Sequence, residues 1–361
     1  MTRLNYISRF LLAPIFIFSS FGKGVDPLGT AYKVEDYFIA YNMDWALPLS
    51  LIIAIGLIAL EFSLGIMLIF NLLPKFSRWA MLVLMVFFTL VTFFDAIYNP
   101  IPDCGCFGDA LILTNWQTFY KNIIIDFLLI GLFLYKPRKI NLRKNLVWSL
   151  VIFTAFLSFS FYNLKHLPII DFRSWKVGTQ VFNTEQKAIQ LYLSYQNKNT
   201  GEIKEFLSPN FPYQDSLWLS NWEYKSTREL NPNTDSESIM FFDREGNEAT
   251  NEVLGISGIN LLIIAYDLDA ITKEKAKKIR TVIQIANEEN FPIAIITSSV
   301  GTKIANFINN HLIDIPIFLA DDIDLKTMIR SNPGLIFLEN GKVIKKWAYA
   351  DFPTDINQIY E

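Results

Sequence analysis

Cysteine and histidine are scarce in this chain: its 361 residues hold two of each. His166 and His311 stand far in sequence from Cys104 and Cys106. A structural zinc site needs four donors, so the sequence gives no reason to expect a metal. Charge is also thin, at 19% of residues, and the formal net charge of −3 argues for no nucleic-acid or acidic-surface partner. What fills the space is apolar. Hydrophobic residues make up 52% of the chain, against roughly 45–50% in soluble domains. The excess sits in residues 1–165, while residues 166–361 have the mixed composition of a water-soluble domain.

Five apolar runs approach the roughly 20 residues that cross a bilayer: Tyr6–Phe21, Leu47–Leu73, Trp79–Tyr98, Gln117–Tyr135 and Leu146–Tyr162. The first follows Arg3 and contains Arg9, as a secretory signal would, but "FSSFGKG" offers no obvious small-x-small cleavage site, so a retained helix is expected. The loop "LYKPRKINLRKN" carries Lys136, Arg138, Lys139, Arg143 and Lys144 without an acid, and "PKFSR" adds Lys75 and Arg78. Basic loops stay in the cytoplasm. Five spans with the N-terminus inside then place residues 163–361 outside. The loop "NPIPDCGCFGDALI" has Asp103 and Asp109 and no base, so it too is expected outside. In a bacterium this means an inner-membrane protein with its C-terminal half in the periplasm, where disulfides persist.

That loop holds both cysteines, one residue apart. One reading is a structural pair, packed or bonded; free cysteine often behaves as a small apolar side chain. The other is redox chemistry. Closing so small a ring removes little unfolded-state entropy, which makes it a poor staple, while ring strain favours reduction and exchange. Gly105 and Gly108 would supply the left-handed backbone such a loop needs.

Beyond Asn260 the pattern is regular. "INLLIIAYDL", "FPIAIIT" and "IPIFLAD" read as buried strands. Between the first two, "TKEKAKKIRTVIQIANEEN" puts Ala276, Ile279, Val282, Ile283 and Ala286 on one helical face. "VGTKIANFINNHL" reads as a second helix and "IDLKTMIR" as a short one. "SNPGLIFLENGKVIKKWAY" then reads as a hairpin turned at Asn340-Gly341. This order resembles the thioredoxin fold, with Asn332-Pro333 where that family places a cis proline. The resemblance implies either a groove near Thr297, Ser298, Ser299 and Pro333 that would hold a peptide or partner, or a half that serves only as a structural cap. It departs at one point: where thioredoxins carry Cys-x-x-Cys, this chain reads "YDLDAITKE", residues 266–274, without a thiol.

The membrane half has a resemblance of its own. "CGCFGD", the segment "FSSFGKGVDPLGTAYKVEDYF" and "LEFSLGIMLI" with Glu61 are together similar to the DoxX/MauE group over residues 5–135. Its fusion to a thioredoxin-like domain looks like a Bacteroidetes arrangement. The resemblance implies a four-helix membrane core and thiol or sulfur redox at the membrane surface. The expected organisation is a DoxX/MauE-like α-helical membrane bundle over 1–135, a basic cytoplasmic loop and fifth transmembrane helix over 136–165, a periplasmic connecting region over 166–255, and an α/β thioredoxin-like domain over 256–361.

Glu61 and Asp126 fall inside apolar runs, where a charge costs about 3 kcal/mol. They are candidates to relay protons between the Cys104/Cys106 pair and a membrane quinone, or else to form helix–helix hydrogen bonds. No cofactor is fixed by the sequence. The expected partners are the bilayer and either a periplasmic protein client or other membrane subunits. Two function classes stay open: a thiol-disulfide or quinone-linked oxidoreductase working through Cys104 and Cys106, and a non-enzymatic scaffold recruiting partners through its outer domain. A solute channel ranks last, since no inverted repeat is visible.

Overall fold

A computed structural model describes residues 3–134, 141–182, 190–198, 200–208, 210–212, 215–230 and 239–360. They form two compact units, 1–172 and 173–361.

The first unit is helical: α1 (Arg3–Val25), α2 (Pro27–Ala40), a 3-10 turn (Asp44–Leu49), α3 (Ser50–Phe70), α4 (Pro74–Tyr98), α5 (Asn115–Phe133) and α6 (Leu142–Lys165). Arg3–Val25, Asp44–Phe70, Pro74–Tyr98 and Leu142–Lys165 are long and apolar enough to cross a membrane. The expected span Gln117–Tyr135 becomes α5 but is not among those four. Its Asn115, Thr118 and Asn122 are buried, so its polar groups lower the hydropathy while facing the bundle. Tyr135 and the basic residues Lys136, Arg138 and Lys139 lie outside the described residues.

Each helix end has a local cause. Asp26 caps α2 by accepting from Gly29 N at 3.0 Å, with Pro27 at the first helical position. This helix was not expected from hydropathy. Thr114 and Gln117 form a capping box on α5. Asn71 ends α3 in the left-handed conformation. Leu12, Ala13, Phe16, Leu64, Met67, Met81 and Leu129 form the core, so α1 is integral to the bundle. Gly65 lets α1 approach α3 closely: a Cβ there would lie 3.2 Å from Ala13 O and Ile17 N. The fifth span, α6, joins this unit, with Phe156 stacked on Phe62 at 3.8 Å between ring centroids.

The two ends of the bundle differ. At one end Arg9 Nε donates to Leu68 O at 2.8 Å. Arg78 donates to Pro74 O and Leu132 O there, and Asn5 to Gly131 O and Leu132 O. At the other end the α4–α5 loop folds under the C-terminus of α1, where a Cβ on Gly22 would meet Phe107 O at 2.6 Å.

In the second unit, β1 (Gln190–Asn197), β2 (Ile203–Leu207) and β3 (Trp222–Leu230) form an antiparallel sheet in the order β2-β1-β3, with α7 (Ser216–Asn221) before β3. After α8 (Thr250–Leu254) come β4 (Ile259–Ile264), α9 (Lys273–Glu288), β5 (Ile293–Thr297), α10 (Thr302–His311), β6 (Ile317–Leu319), α11 (Asp322–Met328), β7 (Gly334–Glu339) and β8 (Lys342–Ala348). Their sheet runs β6-β5-β4-β7-β8. The first three strands are parallel and the last two antiparallel. With helices between the parallel strands and a cis Asn332-Pro333 before β7, this is a thioredoxin-like arrangement. The buried strand Leu261–Ile264 sits at its centre. Asn340 and Gly341 turn the hairpin with φ of 49° and 72°.

The region expected as a connector, 166–255, is not one piece. Val181 N donates to Gly341 O, Phe242 pairs with Leu319 of β6, and Phe241 is fully buried. Residues around Val181 and Phe241 therefore pack with the five-stranded sheet, the three-stranded sheet lies between them in sequence, and residues 166–172 belong to the first unit.

Candidate functional site: a thiol pair in the wall of an apolar cavity

Two prolines and two left-handed glycines shape the cysteine loop. Gly105 and Gly108 have φ of 61° and 59°, as their placement in the sequence led us to expect. Asp103 Oδ1 accepts from Gly105 N at 3.0 Å, and its Oδ2 pairs with Lys33 of α2 at 2.9 Å. Lys33 also lies over Gly105, 3.0 Å from where a Cβ would be. On the far side, Cys106 O accepts from Ser19 of α1 at 2.7 Å. The backbone is thus tied to α1 and α2. The Cys104 and Cys106 thiols are free and half-buried, with their sulfurs 2.8 Å apart. A disulfide would bring them to about 2.05 Å.

Both thiols line a cavity of about 520 Å³ built by α1 to α5 and the loop. Its walls are mostly apolar, including Phe38, Leu57, Met85, Phe88 and Val91. Ile53 of α3 and Phe87 of α4 line it too and are themselves exposed. Its polar lining is mainly Lys23, Lys33, Tyr37, Glu61, Lys121 and Asn122.

Glu61 is 2% exposed and pairs with Lys23, itself 5% exposed, at 2.5 Å. Ser19 donates to the same carboxylate oxygen at 3.3 Å while holding Cys106 O. α1 runs two residues past Lys23 and carries it inward. Lys121 lies 4.6 Å from the Phe107 ring centroid. The charge pattern makes the two sulfurs unequal. The Cys104 S–H lowers the Cys106 thiol below its ordinary range by hydrogen bonding to it, helped by Lys121 and Lys23 and opposed by burial and Glu61. Cys104 is raised, first by that same hydrogen bond and then by burial.

Of the expected proton carriers, Glu61 reaches the cavity. Asp126 does not line it; its Oδ2 accepts from Thr89 of α4 at 2.7 Å. A third acid, near the outer end of the Trp79–Tyr98 run, does stand beside the cavity. Asp95, fully buried on α4, accepts from the Tyr37 hydroxyl at 2.6 Å. The two residues are 58 positions apart, and α2 had not been foreseen, so no sequence signal paired them.

The residues expected to border a client groove are engaged within the second unit. Thr297 is fully buried and its Oγ1 accepts from Ser299 N at 3.0 Å. Ser298 donates to Tyr266 O at 2.6 Å. Pro333 is buried, and the preceding Asn332 donates to Asp267 O at 2.8 Å and accepts from Lys275 at 2.6 Å. Where a thioredoxin would expose its dithiol, Leu268 and Ile271 are buried in the core.

A helical unit with membrane-spanning dimensions and a dithiol at one end defines a class: a multi-pass membrane protein with a thioredoxin-like α/β unit attached. Residues 1–136 match the family model described as methylamine utilisation protein MauE. No curated protein matches the chain. Among solved structures, the chain is similar to a Bacteroides thetaiotaomicron protein described as a protein disulfide isomerase. The identity is 13%, over 34% of this chain and 78% of that one, with a TM-score of 0.26.

Proposed function

We propose that the protein is a membrane thiol-disulfide oxidoreductase whose working groups are Cys104 and Cys106. The observation that carries this is the placement of both thiols, 2.8 Å apart, in the wall of an apolar cavity inside a membrane bundle. A packing role would leave them in a filled core. In the exchange, the reduced pair loses two electrons and two protons as one S–S bond forms, and the reverse reaction reduces a disulfide. Cys106, the thiol lowered by its neighbours, is the nucleophile.

The cavity also suits a lipid-soluble acceptor of the quinone class. The exposed wall residues Ile53 and Phe87 are where it would enter from the bilayer. Phe38 and Phe88 offer apolar faces, and Lys121 offers a donor for a carbonyl oxygen. Such a group, when bound, supplies a two-electron, two-proton sink for the thiols. The orientation that fits is periplasmic for the cysteine end and for residues 173–361, in an inner membrane. Supporting it, Arg9, Lys75 and Arg78 gather at the opposite end of the bundle.

The test is the redox state of the pair in native membranes, read by alkylation before and after reduction, with and without a quinone-pool inhibitor. An oxidised pair that becomes reduced when the pool is blocked is the expected result. Thiols that remain reduced in oxidising membranes sink the reading.

A further inference from the structure

Of the carboxyls in or beside the cavity, two already have a cation: Glu61 is paired with Lys23, and Asp103 with Lys33. Asp95 is different. It is 0% exposed, makes no ion pair among the described residues, and its Oδ1 is buried without a hydrogen-bond partner. Its Oδ2 has one contact, the Tyr37 hydroxyl, and Tyr37 is a wall residue of the cavity that both thiols line. A buried carboxyl with an unused oxygen is costly to keep. Here it is connected through one hydroxyl to the space where the thiols would ionise.

We propose that Asp95, reached through Tyr37, accepts the proton that the Cys104/Cys106 pair gives up when it forms a thiolate. The proposal rests on the reading of these two thiols as the working pair. One S–H bond breaks. The proton passes by way of the Tyr37 hydroxyl, which hands its own proton to Asp95, so an O–H bond forms there. The pair's second proton stays between the sulfurs. Negative charge thereby moves from Asp95 to the sulfurs, where Lys23 and Lys121 favour it. The other charged or titratable groups around this space are Tyr41 at the C-cap of α2, stacked on Tyr37, and the Lys33–Asp103 and Lys23–Glu61 pairs. Asp95 acts as a positioning and proton-holding residue; it does not touch sulfur chemistry directly.

The experiment follows iodoacetamide alkylation of the reduced full-length protein in lipid nanodiscs across a pH series, read by mass spectrometry. Wild type is compared with Asp95→Asn, Tyr37→Phe, Asp95→Glu and the off-cavity control Asp126→Asn. At about pH 6.5, Asp95→Asn and Tyr37→Phe should each slow alkylation by roughly tenfold or more, and both should converge on wild type in alkali. Asp95→Glu should recover most of the rate, and Asp126→Asn should match wild type. The sign of the effect discriminates. A carboxylate acting only through its charge would repel the thiolate, so Asp95→Asn would then react faster than wild type, and that result overturns the proposal. So do rates for both variants within about twofold of wild type. If Asp95→Asn melts abnormally, Tyr37→Phe, which keeps the ring and the carboxyl, decides. The membrane redox assay separates the two ideas: a pair oxidised in membranes with normal variants removes only the relay, and a pair that stays reduced removes both.

Discussion

Lys23 and Glu61 are 38 residues apart and touch at 2.5 Å in an apolar surround. Neither position announced the pair. Lys23 follows an apolar run, the ordinary place for an interface anchor, and Glu61 looked like a lone intramembrane acid. The pairing depends on how α1 and α3 pack, and a single sequence does not encode that as a local pattern. It has an energetic consequence. Lys23→Met leaves a buried carboxylate without its cation and should destabilise the membrane unit by about 3–5 kcal/mol. Lys23→Met with Glu61→Leu should recover most of that loss, because two apolar side chains replace two desolvated charges. Chemical unfolding in detergent measures both. The thiols allow a second prediction at this scale. With Cys106 lowered and Cys104 raised, limited alkylation near neutral pH should label Cys106 first, and peptide mapping reads the order. The two cysteines were legible as a chemical feature from the sequence alone. Their inequality was not, because it comes first from the hydrogen bond that the fold sets between them, with Lys121 and Lys23 adding to it at Cys106.

At the scale of elements, the legible parts were those with local signals. The Asn340-Gly341 turn, the strand–helix alternation after Asn260 and the glycines flanking Cys106 all carry backbone preferences in the residues themselves. The helix α2 was missed although Asp26-Pro27 is a local start signal, because hydropathy had drawn attention to the longer runs on either side. The three-stranded sheet carries no comparable local signal, since its pairing joins residues across loops. Close packing of α1 on α3 is likewise a property of two elements together, and it can be tested with two glycines of one helix. Gly65 faces α1, and an added Cβ would sit 2.8 Å from Ile17 Cγ1. Gly56 has open space around it. Gly65→Val should therefore push the helices apart and lower the melting temperature of the membrane unit. Gly56→Ala should leave it unchanged or raise it slightly, since alanine is favoured over glycine in helices by up to about 1 kcal/mol. If Gly65→Val melts like wild type, close helix approach is not what secures this seam.

The whole molecule divides its labour between two units, and cysteine marks the division. Both thiols belong to residues 1–172, while residues 173–361 have a thioredoxin-like sheet whose usual dithiol position is filled by Leu268 and Ile271. A unit without thiols cannot exchange electrons by that route, so the proposed function gives residues 173–361 the part of positioning a client for the membrane pair. The scaffold alternative gives those residues the whole function and the thiols none. The two readings diverge in a pair of strains. One carries Cys104→Ser with Cys106→Ser in the full chain, and the other ends the chain after Phe172. If the thiols are the working groups and residues 173–361 bring the client, both strains lose function. The truncated protein, purified, should still show the wild-type alkylation profile at Cys104 and Cys106, because every residue lining the cavity lies within residues 15–125. A scaffold would behave differently: the serine strain would keep full function and the truncation alone would lose it, and that pattern would displace the oxidoreductase reading.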